Sequence, residues 1–511
     1  MGIEIFDAPA EIEQFQTDHP ISHLMLLIWQ SREDLRNAFN LNTKTGQEAF
    51  ISWYDFTVIR KHDTFHSDST QTNLLYSRLV SAEFTLSKAS RWLPKPVRNK
   101  AKHFWLWLIS RAGWFTAKSA RNHDKPTLRT ETKPGLTGLP LYEGEPGANL
   151  VGYAHAELGM GEHVRMTAAA LSETDVPFGV VDFGAGTTSR KKTSLDHGTL
   201  IDSNKHKVNI FHVSPDQILP AYLHFGRGFF DRRYNIGYPF WELSKFPQEW
   251  VPSMQLLDEV WAPTTFIQVA LTGAMGRAVQ HMPVGVVLPK IPKLGRDYFG
   301  IPADHFLFFF AFDCYSFIDR KNPYAIVAAF KVAFPLGNEK TGLIIKAMNA
   351  KESSESWMRL VSDIGSDKRI KLINETMDKT KLLSFKSECD CYISLHRAEG
   401  LGLGPMEAML LGKPVIVTNY SGNTDYAKPD NSCLVNYSLI PVQEGQYLFH
   451  ENQVWADPDV EHAAWHMIRL ANDPELCISL GKRAAAFVST NFSPSHCGQL
   501  YKHRLQELGM L

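Results

Sequence analysis

The chain has 511 residues, of which 53 are lysine or arginine and 54 are aspartate or glutamate, so its formal net charge is −1. A chain of this length predicts two or three domains rather than one core. The near-neutral charge gives no indication of nucleic-acid binding by the chain as a whole, and 44% hydrophobic residues are ordinary for a globular protein.

The first residues, MGIEIFDAPAEIEQF, are acidic and contain no long apolar stretch, so we expect no secretory signal. No apolar run approaches the roughly 20 residues that a membrane-spanning helix needs. The 6 cysteines are scattered and form no C-x-x-C pair, which favours reduced thiols in a cytosol. The sequence therefore predicts a cytoplasmic protein. Peripheral attachment to the cytoplasmic face of a membrane stays open because of the segment described next.

Residues 1–146 lack the alternation of strands and helices that follows, and we interpret them as a mostly helical accessory region. Its segment Lys88–Lys133 is rich in basic residues and tryptophan and has few acidic residues. This composition is typical of a segment that lies on anionic lipid, and it equally suits a helical hairpin packed on the next domain. Nucleic-acid binding is a third interpretation, although no recognised module accompanies the charge. The prolines and glycines of Asp124–Pro146 predict a linker.

The alternation of strand and helix that predicts a parallel α/β sheet begins at Asn149. The first strand is Leu150–Ala154, and a turn with Gly159 and Gly161 leads into the helix His163–Leu171. Ligands bind beyond the carboxyl ends of such strands, so both glycines are candidate contacts, although glycine here also suits the turn alone. Further strands are predicted at Phe178–Phe183, Val208–Val213, Asn235–Phe240 and Glu259–Ala262.

Two polar residues of this domain lie at or just beyond the ends of predicted strands, where clefts form in such sheets. His212 suits either a site residue or a histidine that is satisfied within the core. Glu242 lies between Trp241 and Leu243, an apolar setting that is unusual for a purely solvated carboxylate. Both residues are therefore candidates for a polar group in a cleft.

A second α/β unit begins near Pro289 and opens with the buried strand His305–Phe312. Arg320 and Lys321 directly precede the helix predicted at Tyr324–Phe334. Cations in the first turn of a helix are electrostatically unfavourable unless an anion lies nearby. The pair therefore indicates an anionic ligand.

The stretch from Cys391 to Asp425 carries the strongest signal in the chain. Three glycines, at positions 400, 402 and 404, follow a short strand, and Pro405 stands where the first position of a helix is predicted. A glycine loop that opens a helix is a ready anion site, because free N–H groups and the helix dipole point at the ligand. Glu399 and Glu407 frame the loop. Either glutamate alone is explained by solvation or by the helix dipole, but both together with the glycines favour a binding site.

This stretch resembles the donor-sugar signature of retaining glycosyltransferases of the GT-B fold, of the family 4 type. In that family two glutamates, spaced like Glu399 and Glu407, bracket the sugar-nucleotide site. The resemblance implies that Glu399 contacts the hydroxyls of the transferred sugar and that Glu407 holds the ribose of the nucleotide. It also implies donor contacts at Gly400, Leu401, Gly402, Leu403, Lys346, Asn374, Gly159 and Gly161.

The resemblance further implies that Lys321 binds the donor diphosphate. The arginine that the family often carries shortly upstream has no match here, and Arg320 is a candidate substitute. A departing diphosphate needs cationic neutralisation, so at least one of the two must serve. Family members often place a histidine near the reacting sugar from the first α/β domain. We assign Glu242 to that catalytic position, with His212 as the alternative.

The fold class that the resemblance implies is α/β, a GT-B fold with two Rossmann-like domains facing each other across a cleft. Residues 147–288 form the acceptor domain in this interpretation, and residues 289–490 form the donor domain. Residues 491–511 are expected to be a helix that crosses back to the first of these domains. Residues 1–146 are the mostly helical N-terminal extension.

The expected activity is that of a retaining hexosyltransferase, which moves a sugar from a nucleotide-diphosphate donor to a hydroxyl of a glycan or lipid-linked glycan. The resemblance implies that no metal or other cofactor is needed, because GT-B sites of this kind hold no structural divalent cation. Three alternatives stay open. They are a relative that hydrolyses or epimerises nucleotide sugars, a non-catalytic partner in a glycosylation complex, and a scaffold at a lipid surface.

Overall fold

The computed structural model describes residues 9–10, 12–17, 20–31, 33–54, 142–184, 190, 193–337 and 339–511. The basic segment Lys88–Lys133 and nearly all of the predicted linker lie outside these residues. The interpretations of that segment, including membrane attachment, therefore stay predictions.

The chain divides into two compact units. The first contains the described residues up to Tyr54 together with residues 219–232, and the second contains residues 142–218 and 233–511. The helices of the first unit are α1 (His23–Ser31), α2 (Glu33–Ala38), α3 (Lys44–Tyr54), α5 (Ile218–Phe225) and α6 (Arg227–Phe230). The first residue of α5, Ile218, belongs to the second unit.

The aromatic residues of the first unit explain how its short helices hold together. Phe39, Phe50 and Trp53 are buried, and the Phe50 and Trp53 rings stack with their centroids 5.7 Å apart. Gln47 is fully buried on α3, and its Nε2 donates to the Leu41 carbonyl at 2.9 Å. A buried amide needs such a partner, so this bond fixes the chain that leads into α3. The described part of the N-terminal region is mostly helical from His23 onward, whereas the residues before it form no helix.

The second unit begins with a six-stranded sheet in the order β2-β1-β3-β4-β5-β6, in which all pairings are parallel. Apart from the edge strand β6 and the exposed start of β1, its strands are mostly buried on both faces, which explains why they are apolar runs rather than alternating patterns. The strands are β1 (Glu145–Gly152), β2 (Phe178–Asp182), β3 (His206–His212), β4 (Tyr234–Gly237), β5 (Glu259–Ala262) and β6 (Gln280–His281). The helices that accompany this sheet are α4 (Gly159–Ser172), α7 (Val251–Met254) and α8 (Thr265–Met275).

The start of β1 differs from the sequence-based prediction. The strand begins at Glu145, whereas the sequence predicted a linker up to Pro146 and a strand from Leu150. Parallel pairing with β3 extends the strand, and the Asn149 side chain donates to the carbonyls of His206 and Val208 at 2.9 and 3.1 Å. These long-range bonds override the local turn preference of proline and glycine.

A second six-stranded sheet has the order β12-β11-β10-β7-β8-β9 and is also parallel. Its strands are β7 (Phe306–Asp313), β8 (Thr341–Met348), β9 (Ile370–Asn374), β10 (Cys391–Ser394), β11 (Val415–Thr418) and β12 (Cys433–Val435). The helices around it are α9 (Gly295–Tyr298), α10 (Ile318–Lys321), α11 (Pro323–Ala333), α12 (Glu355–Ile364), α13 (Lys379–Glu388), α14 (Leu403–Leu410), α15 (Val460–Asn472) and α16 (Pro474–Asn491). An antiparallel hairpin that the sequence did not predict consists of β13 (Tyr437–Pro441) and β14 (Val454–Pro458).

The last helix, α17 (Pro494–Glu507), returns to the first sheet and packs against α4. Its Arg504 donates from Nε and Nη2 to the two carboxylate oxygens of Glu259 on β5, at 3.0 and 2.6 Å. Gly498 lies so close to α4 that a Cβ there would stand 2.1 Å from the Ala170 carbonyl oxygen. The chain end is thus tied to the first sheet both by an ion pair and by close helix packing.

Both sheets have a point where the strand order reverses, between β1 and β3 in the first and between β7 and β10 in the second. In open parallel sheets, ligands bind at such points beyond the carboxyl ends of the strands. The predicted pair of Rossmann-like sheets is therefore confirmed, and each sheet has a strand-reversal point of the kind at which such sheets bind ligands.

Candidate active site

A cavity of about 510 Å³ lies where the carboxyl ends of the two sheets face each other. The first sheet contributes the segments that follow β1, β3 and β4, and the second contributes β7, β10 and the loops beyond them. The two halves also contact each other directly, because the Thr264 hydroxyl donates to the Gly400 carbonyl at 2.9 Å. This cavity is the candidate site because it combines both strand-reversal points.

Three predicted residues, Arg320, Lys321 and Glu399, meet at the floor of this cavity. Lys321 Nζ lies 2.5 Å from Glu399 Oε1, and Arg320 Nη1 donates to Glu399 Oε2 at 3.0 Å. Arg320 also donates to the carbonyls of Ala398 and Ser316, at 2.8 and 3.2 Å. A carboxylate held at both oxygens by two cations, one of them only 4% exposed, is rigidly placed.

The charges of this group set its protonation. Burial by itself raises the pKa of the Glu399 carboxyl, but the charges of Lys321 and Arg320 outweigh it and lower the pKa to about 2. Burial disfavours the charged Arg320 guanidinium, but Glu399 and Glu242 hold its pKa above the ordinary value. Burial lowers the pKa of Lys321, and Glu399 opposes that shift. Glu399 is therefore ionised at neutral pH.

The helix argument made from the sequence for Arg320 and Lys321 was wrong. Both residues lie in the last turn of the short helix α10, not in the first turn of α11. Asn322 separates the two helices with a left-handed φ of 51°, and its side chain accepts from the Ala325 N–H at 3.4 Å. A helix C-terminus tolerates cations, so the helix dipole does not require a ligand here. The anion that the pair faces within the protein is Glu399.

The glycine loop brings backbone donors to the cavity. Gly402 adopts a φ of 86°, which disfavours any residue with a Cβ, and α14 begins at the next residue, Leu403. The helix thus starts two residues earlier than predicted, and Pro405 is its third residue. The first turn of a helix leaves N–H groups without intrahelical partners, and Gly400, Leu401, Gly402, Leu403 and Gly404 all line the cavity. The predicted glycine loop at a helix N-terminus is therefore present, and whether it binds an anion stays a prediction.

Glu407 lies one turn into α14 and is held by a lysine that the sequence analysis did not identify. Lys386 Nζ lies 2.7 Å from Glu407 Oε2 and 3.0 Å from the Gly404 carbonyl oxygen, and the Lys386 side chain is only 2% exposed. Its ammonium also lies 5.0 Å from the centre of the Tyr392 ring. Lys386 therefore positions both Glu407 and the glycine loop from behind. One feature of the sequence could have indicated this role of Lys386: it stands beside the apolar residue Phe385 in a helix that faces the core.

Glu242 lines the cavity, as expected of a site residue, and it accepts a hydrogen bond from the Tyr447 hydroxyl at 2.6 Å. Tyr447 lies between β13 and β14, and its ring centre is 5.8 Å from the Arg320 guanidinium carbon. Burial, together with the charge of Glu242, raises the pKa of Tyr447 well above its ordinary value, so the hydroxyl stays a donor. Tyr447 was missed because its hairpin was not predicted.

His212, the alternative to Glu242, is fully buried and packs against the His163 ring, with centroids 4.6 Å apart. Burial lowers the pKa of His212 to about 3, so the ring is neutral at physiological pH. It does not belong to the cavity lining. Of these two candidates, the structure places only Glu242 in the cavity.

Five predicted donor contacts have different positions. Gly159 lines the cavity, whereas Gly161, Lys346, Asn374 and Glu407 are not among its lining residues. A Cβ on Gly161 would stand 2.4 Å from the Ala156 carbonyl oxygen, so glycine here permits close packing of the turn. Lys346 is 2% exposed within β8, and burial lowers its pKa. Asn374 ends the edge strand β9, and its side chain accepts from the Ala350 N–H at 3.4 Å.

Two further observations concern cofactors and membranes. Within the described residues, no group of three or more histidine, cysteine, aspartate or glutamate side chains is placed to hold a metal ion. None of the helices in the described part of the chain combines the length and apolarity needed to span a bilayer. The 6 cysteines, all within that part, are free thiols.

The sequence was compared with models of known protein families and with curated proteins. Residues 350–487, which include the glycine loop and α14, match the family model of glycosyl transferases group 1. No curated protein matches the sequence.

Several solved structures share the fold. HepE of Anabaena, solved in complex with UDP and glucose, is 16% identical over 71% of this chain and 100% of its own, with a TM-score of 0.53. Sucrose-phosphate synthase from Thermosynechococcus elongatus is 14% identical over 71% of this chain and 99% of its own, with a TM-score of 0.52. A glycosyltransferase from Rickettsia africae is 14% identical over 71% of this chain and 98% of its own, with a TM-score of 0.50.

The two facing Rossmann-like sheets, with a cavity between their carboxyl edges, define a GT-B fold. Residues 350–487 are thus similar to glycosyl transferases group 1, and the two sheets have the fold of these solved structures.

Proposed function

We propose that this protein transfers a sugar from a nucleotide-diphosphate donor to a hydroxyl acceptor, with retention of configuration at the anomeric carbon. The observation that carries the proposal is the cluster of Arg320, Lys321 and Glu399 beside the N-terminus of α14, in a cavity bounded by both sheets. The match of residues 350–487 to glycosyl transferases group 1 adds support from the sequence.

The cluster suits a sugar diphosphate because it presents opposite charges side by side. The cations and the free N–H groups of the helix N-terminus stabilise negative charge as it grows on the departing diphosphate. The ionised Glu399 carboxylate accepts hydrogen bonds from sugar hydroxyls, which fixes the ring relative to those cations. In HepE, a protein of the same fold, UDP and glucose are bound, and a second HepE structure holds UDP-glucose. A uridine donor is therefore the first to test.

The reaction proceeds as follows in this proposal. The bond between the anomeric carbon and the diphosphate oxygen breaks, and its electron pair leaves with the nucleotide. The acceptor oxygen attacks from the face that the diphosphate leaves, so the configuration is retained. The departing phosphate oxygen takes the acceptor proton, and no dedicated base is needed. Lys321 and Arg320 stabilise the leaving group, Glu399 orients the sugar, Glu407 holds the ribose, and Glu242 faces the reacting carbon from the other sheet.

The remaining features of the proposal concern cofactor, acceptor and place. Side-chain cations and backbone N–H groups neutralise the diphosphate, so transfer proceeds without a metal ion. The acceptor is a glycan hydroxyl, free or lipid-linked, and the reaction takes place in the cytoplasm or at the cytoplasmic face of a membrane. A role in polysaccharide assembly follows from such an acceptor.

The first test measures the melting temperature with a panel of UDP-, GDP-, ADP- and dTDP-sugars, because a ligand that binds only the folded state stabilises it. At a concentration of about 100 times Kd the stabilisation is about 2.7 kcal/mol, which corresponds to roughly 5–10 °C for a domain of about 200 residues. We expect a shift with one nucleotide class. The shift should be lost in Glu407→Ala and kept in Glu475→Gln, which alters an exposed carboxylate on α16.

Activity is then measured as nucleotide release with and without an acceptor, and the anomeric configuration of the product is read by NMR. Release that depends on acceptor, with a retained product, supports the proposal. A folded protein that binds none of the donors overturns it in favour of a non-catalytic role. Release that is equally fast without any acceptor overturns it in favour of hydrolysis or epimerisation.

A further inference from the structure

The net charge of the lining differs between the two sides of the cavity. The side formed by the second sheet holds the cations Arg320 and Lys321, the Glu399 carboxylate that pairs with both, and the N-terminus of α14. The side formed by the first sheet holds the carboxylates of Asp216 and Glu242, and none of the described residues on that side of the lining is cationic. An anion is therefore attracted to one side of the cavity and repelled by the other.

The two carboxylates lie on the same side of the cavity because they follow neighbouring parallel strands. Asp216 follows β3 in a 3₁₀ turn, and Glu242 follows β4. Each accepts one hydrogen bond from a neutral group: Gln217 Nε2 donates to Asp216 at 2.7 Å, and the Tyr447 hydroxyl donates to Glu242 at 2.6 Å. An ionised carboxylate has about four acceptor positions, so both retain capacity for hydroxyl donors.

An aromatic ring, Trp250, accompanies the carboxylates on the same side of the cavity. It lies nearly perpendicular to two neighbouring rings, with centroids 5.3 Å from Trp241 and 4.9 Å from Phe449, both at 80°. Phe246 packs on it as well, at 6.0 Å. Such edge-to-face packing fixes a ring in place. A fixed, half-buried ring in a polar cavity offers a flat apolar surface.

From these contacts we infer that the first-sheet side of the cavity, formed by Asp216, Glu242 and Trp250, selects an uncharged sugar as the acceptor. A sugar ring has an apolar C–H face, which packs on Trp250, and hydroxyl groups at its edge, which donate to the carboxylates. A sugar that carries a phosphate or carboxylate at this position is repelled by Asp216 and Glu242. The cations on the opposite side cannot offset this repulsion, because in the proposed reaction they bind the donor diphosphate. This inference rests on the proposed function and names the acceptor class of the same site.

The chemistry of the transfer is unchanged by this assignment. One hydroxyl oxygen of the neutral acceptor forms the new bond to the anomeric carbon, and the bond from that carbon to the diphosphate breaks. The acceptor proton passes to the departing phosphate oxygen. The carboxylates of Asp216 and Glu242 hold the other hydroxyls, so they orient the acceptor without taking its proton.

The test uses the full chain with the donor that gives the largest melting shift. Acceptor probes are neutral mono- and disaccharides, each paired with its uronic acid or 6-phosphate form, and the readout is nucleotide release above the acceptor-free rate. The variants are Asp216→Asn and Trp250→Ala, with Trp250→Phe as a second variant should the alanine fail to fold. Matched controls are Asp202→Asn, an exposed aspartate before β3 at the opposite edge of the sheet, and Trp465→Ala, a tryptophan 51% exposed on α15.

We expect the wild type to use neutral acceptors at least about tenfold better, in kcat/KM, than their anionic forms. Asp216→Asn should raise the acceptor KM about 10- to 100-fold, as for loss of a charged hydrogen bond. In the same variant, the ratio of kcat/KM for neutral acceptors to kcat/KM for their anionic forms should decrease. Trp250→Ala should raise the acceptor KM about 2- to 10-fold, which corresponds to the loss of one aromatic contact. The donor KM and the donor-induced melting shift should stay at the wild-type value in both variants, and the two controls should leave the acceptor KM unchanged.

Three outcomes count against the inference. A preference for anionic acceptors overturns it, and so do Asp216→Asn and Trp250→Ala enzymes whose acceptor KM equals that of the controls. In both cases the donor-induced melting shift survives, so the proposed function stands while the acceptor assignment falls. The absence of any donor-induced shift in a folded protein overturns the proposed function itself, and the acceptor assignment with it.

Discussion

Replacing Lys386 with methionine tests how the glycine loop is held in place. The change keeps most of the side-chain volume, but it removes the ammonium that lies 2.7 Å from Glu407 and 3.0 Å from the Gly404 carbonyl oxygen. Removing one partner of a buried ion pair costs about 3–5 kcal/mol, because the other charge stays buried without compensation. Since the Glu407 side chain is 14% exposed, we expect the lower end, about 3 kcal/mol.

The loss is measured by urea unfolding and by melting temperature. A loss of about 3 kcal/mol corresponds to a drop of roughly 6–12 °C for a domain of about 200 residues. The matched control is Lys381→Met on the same helix, α13, whose ammonium pairs with Glu375 at 3.3 Å and is 31% exposed. Partly exposed pairs of this kind contribute about 0–1 kcal/mol, so the control should change little.

A double-mutant cycle with Glu407→Gln separates the ion pair from other effects of the substitutions. The coupling between Lys386→Met and Glu407→Gln should be about 1–3 kcal/mol, so the double variant should be more stable than the sum of the single losses predicts. Each single variant should also weaken the donor-induced melting shift. The reasoning is refuted if Lys386→Met is as stable as Lys381→Met, or if the two single losses simply add.

Three further changes follow from contacts in and near the cavity. The pKa of Glu399 is lowered from 4.5 to about 2, so its ionisation stabilises the fold above pH 4.5, and this contribution is lost as the pH falls from 4.5 to about 2. The difference in unfolding free energy between wild type and Glu399→Gln should therefore shrink over that interval, and a difference that is constant with pH would contradict the assignment. Tyr447→Phe removes the hydrogen bond to Glu242, so we expect kcat/KM to fall about 10- to 100-fold, as for a bond to a charged group. The donor-induced melting shift should be unchanged. Full activity would show that the bond is dispensable. Gly498→Ala forces a Cβ against the backbone of α4 and should destabilise the protein by about 1–3 kcal/mol. The control Gln499→Ala, at an exposed neighbouring position, should change the free energy of unfolding by no more than about 0.5 kcal/mol. Equal melting temperatures of the two variants would show that the helices can separate without cost.

Sequence patterns predicted the elements whose structure depends on nearby residues. The glycine loop, the helix after it and the buried strands follow from local preferences: Gly402 needs a left-handed φ, and apolar runs such as β7 need burial on both faces. The pairing of Glu399 and Glu407 with the glycines was visible for the same reason, since all of them lie within one short stretch. Hence the fold class was predicted correctly. The cavity is lined by Glu399, Lys321, Arg320 and Glu242, whose roles stay predictions.

Tertiary contacts decided the rest of the site. Tyr447 contacts Glu242 across 205 positions of the chain, and Lys386 reaches Glu407 across 21, so neither partner has a local pattern that reveals the other. The error about Arg320 and Lys321 has a similar origin. Local periodicity predicts a single helix start at these residues, but the left-handed Asn322 separates two helices there. Side-chain charges act through space, and the distance between two charges is known only after the sheets are assembled. The sequence by itself thus determined which residues form the glycine loop and its helix, while the tertiary structure determined which charges face one another, because that depends on the approach of elements far apart in the chain.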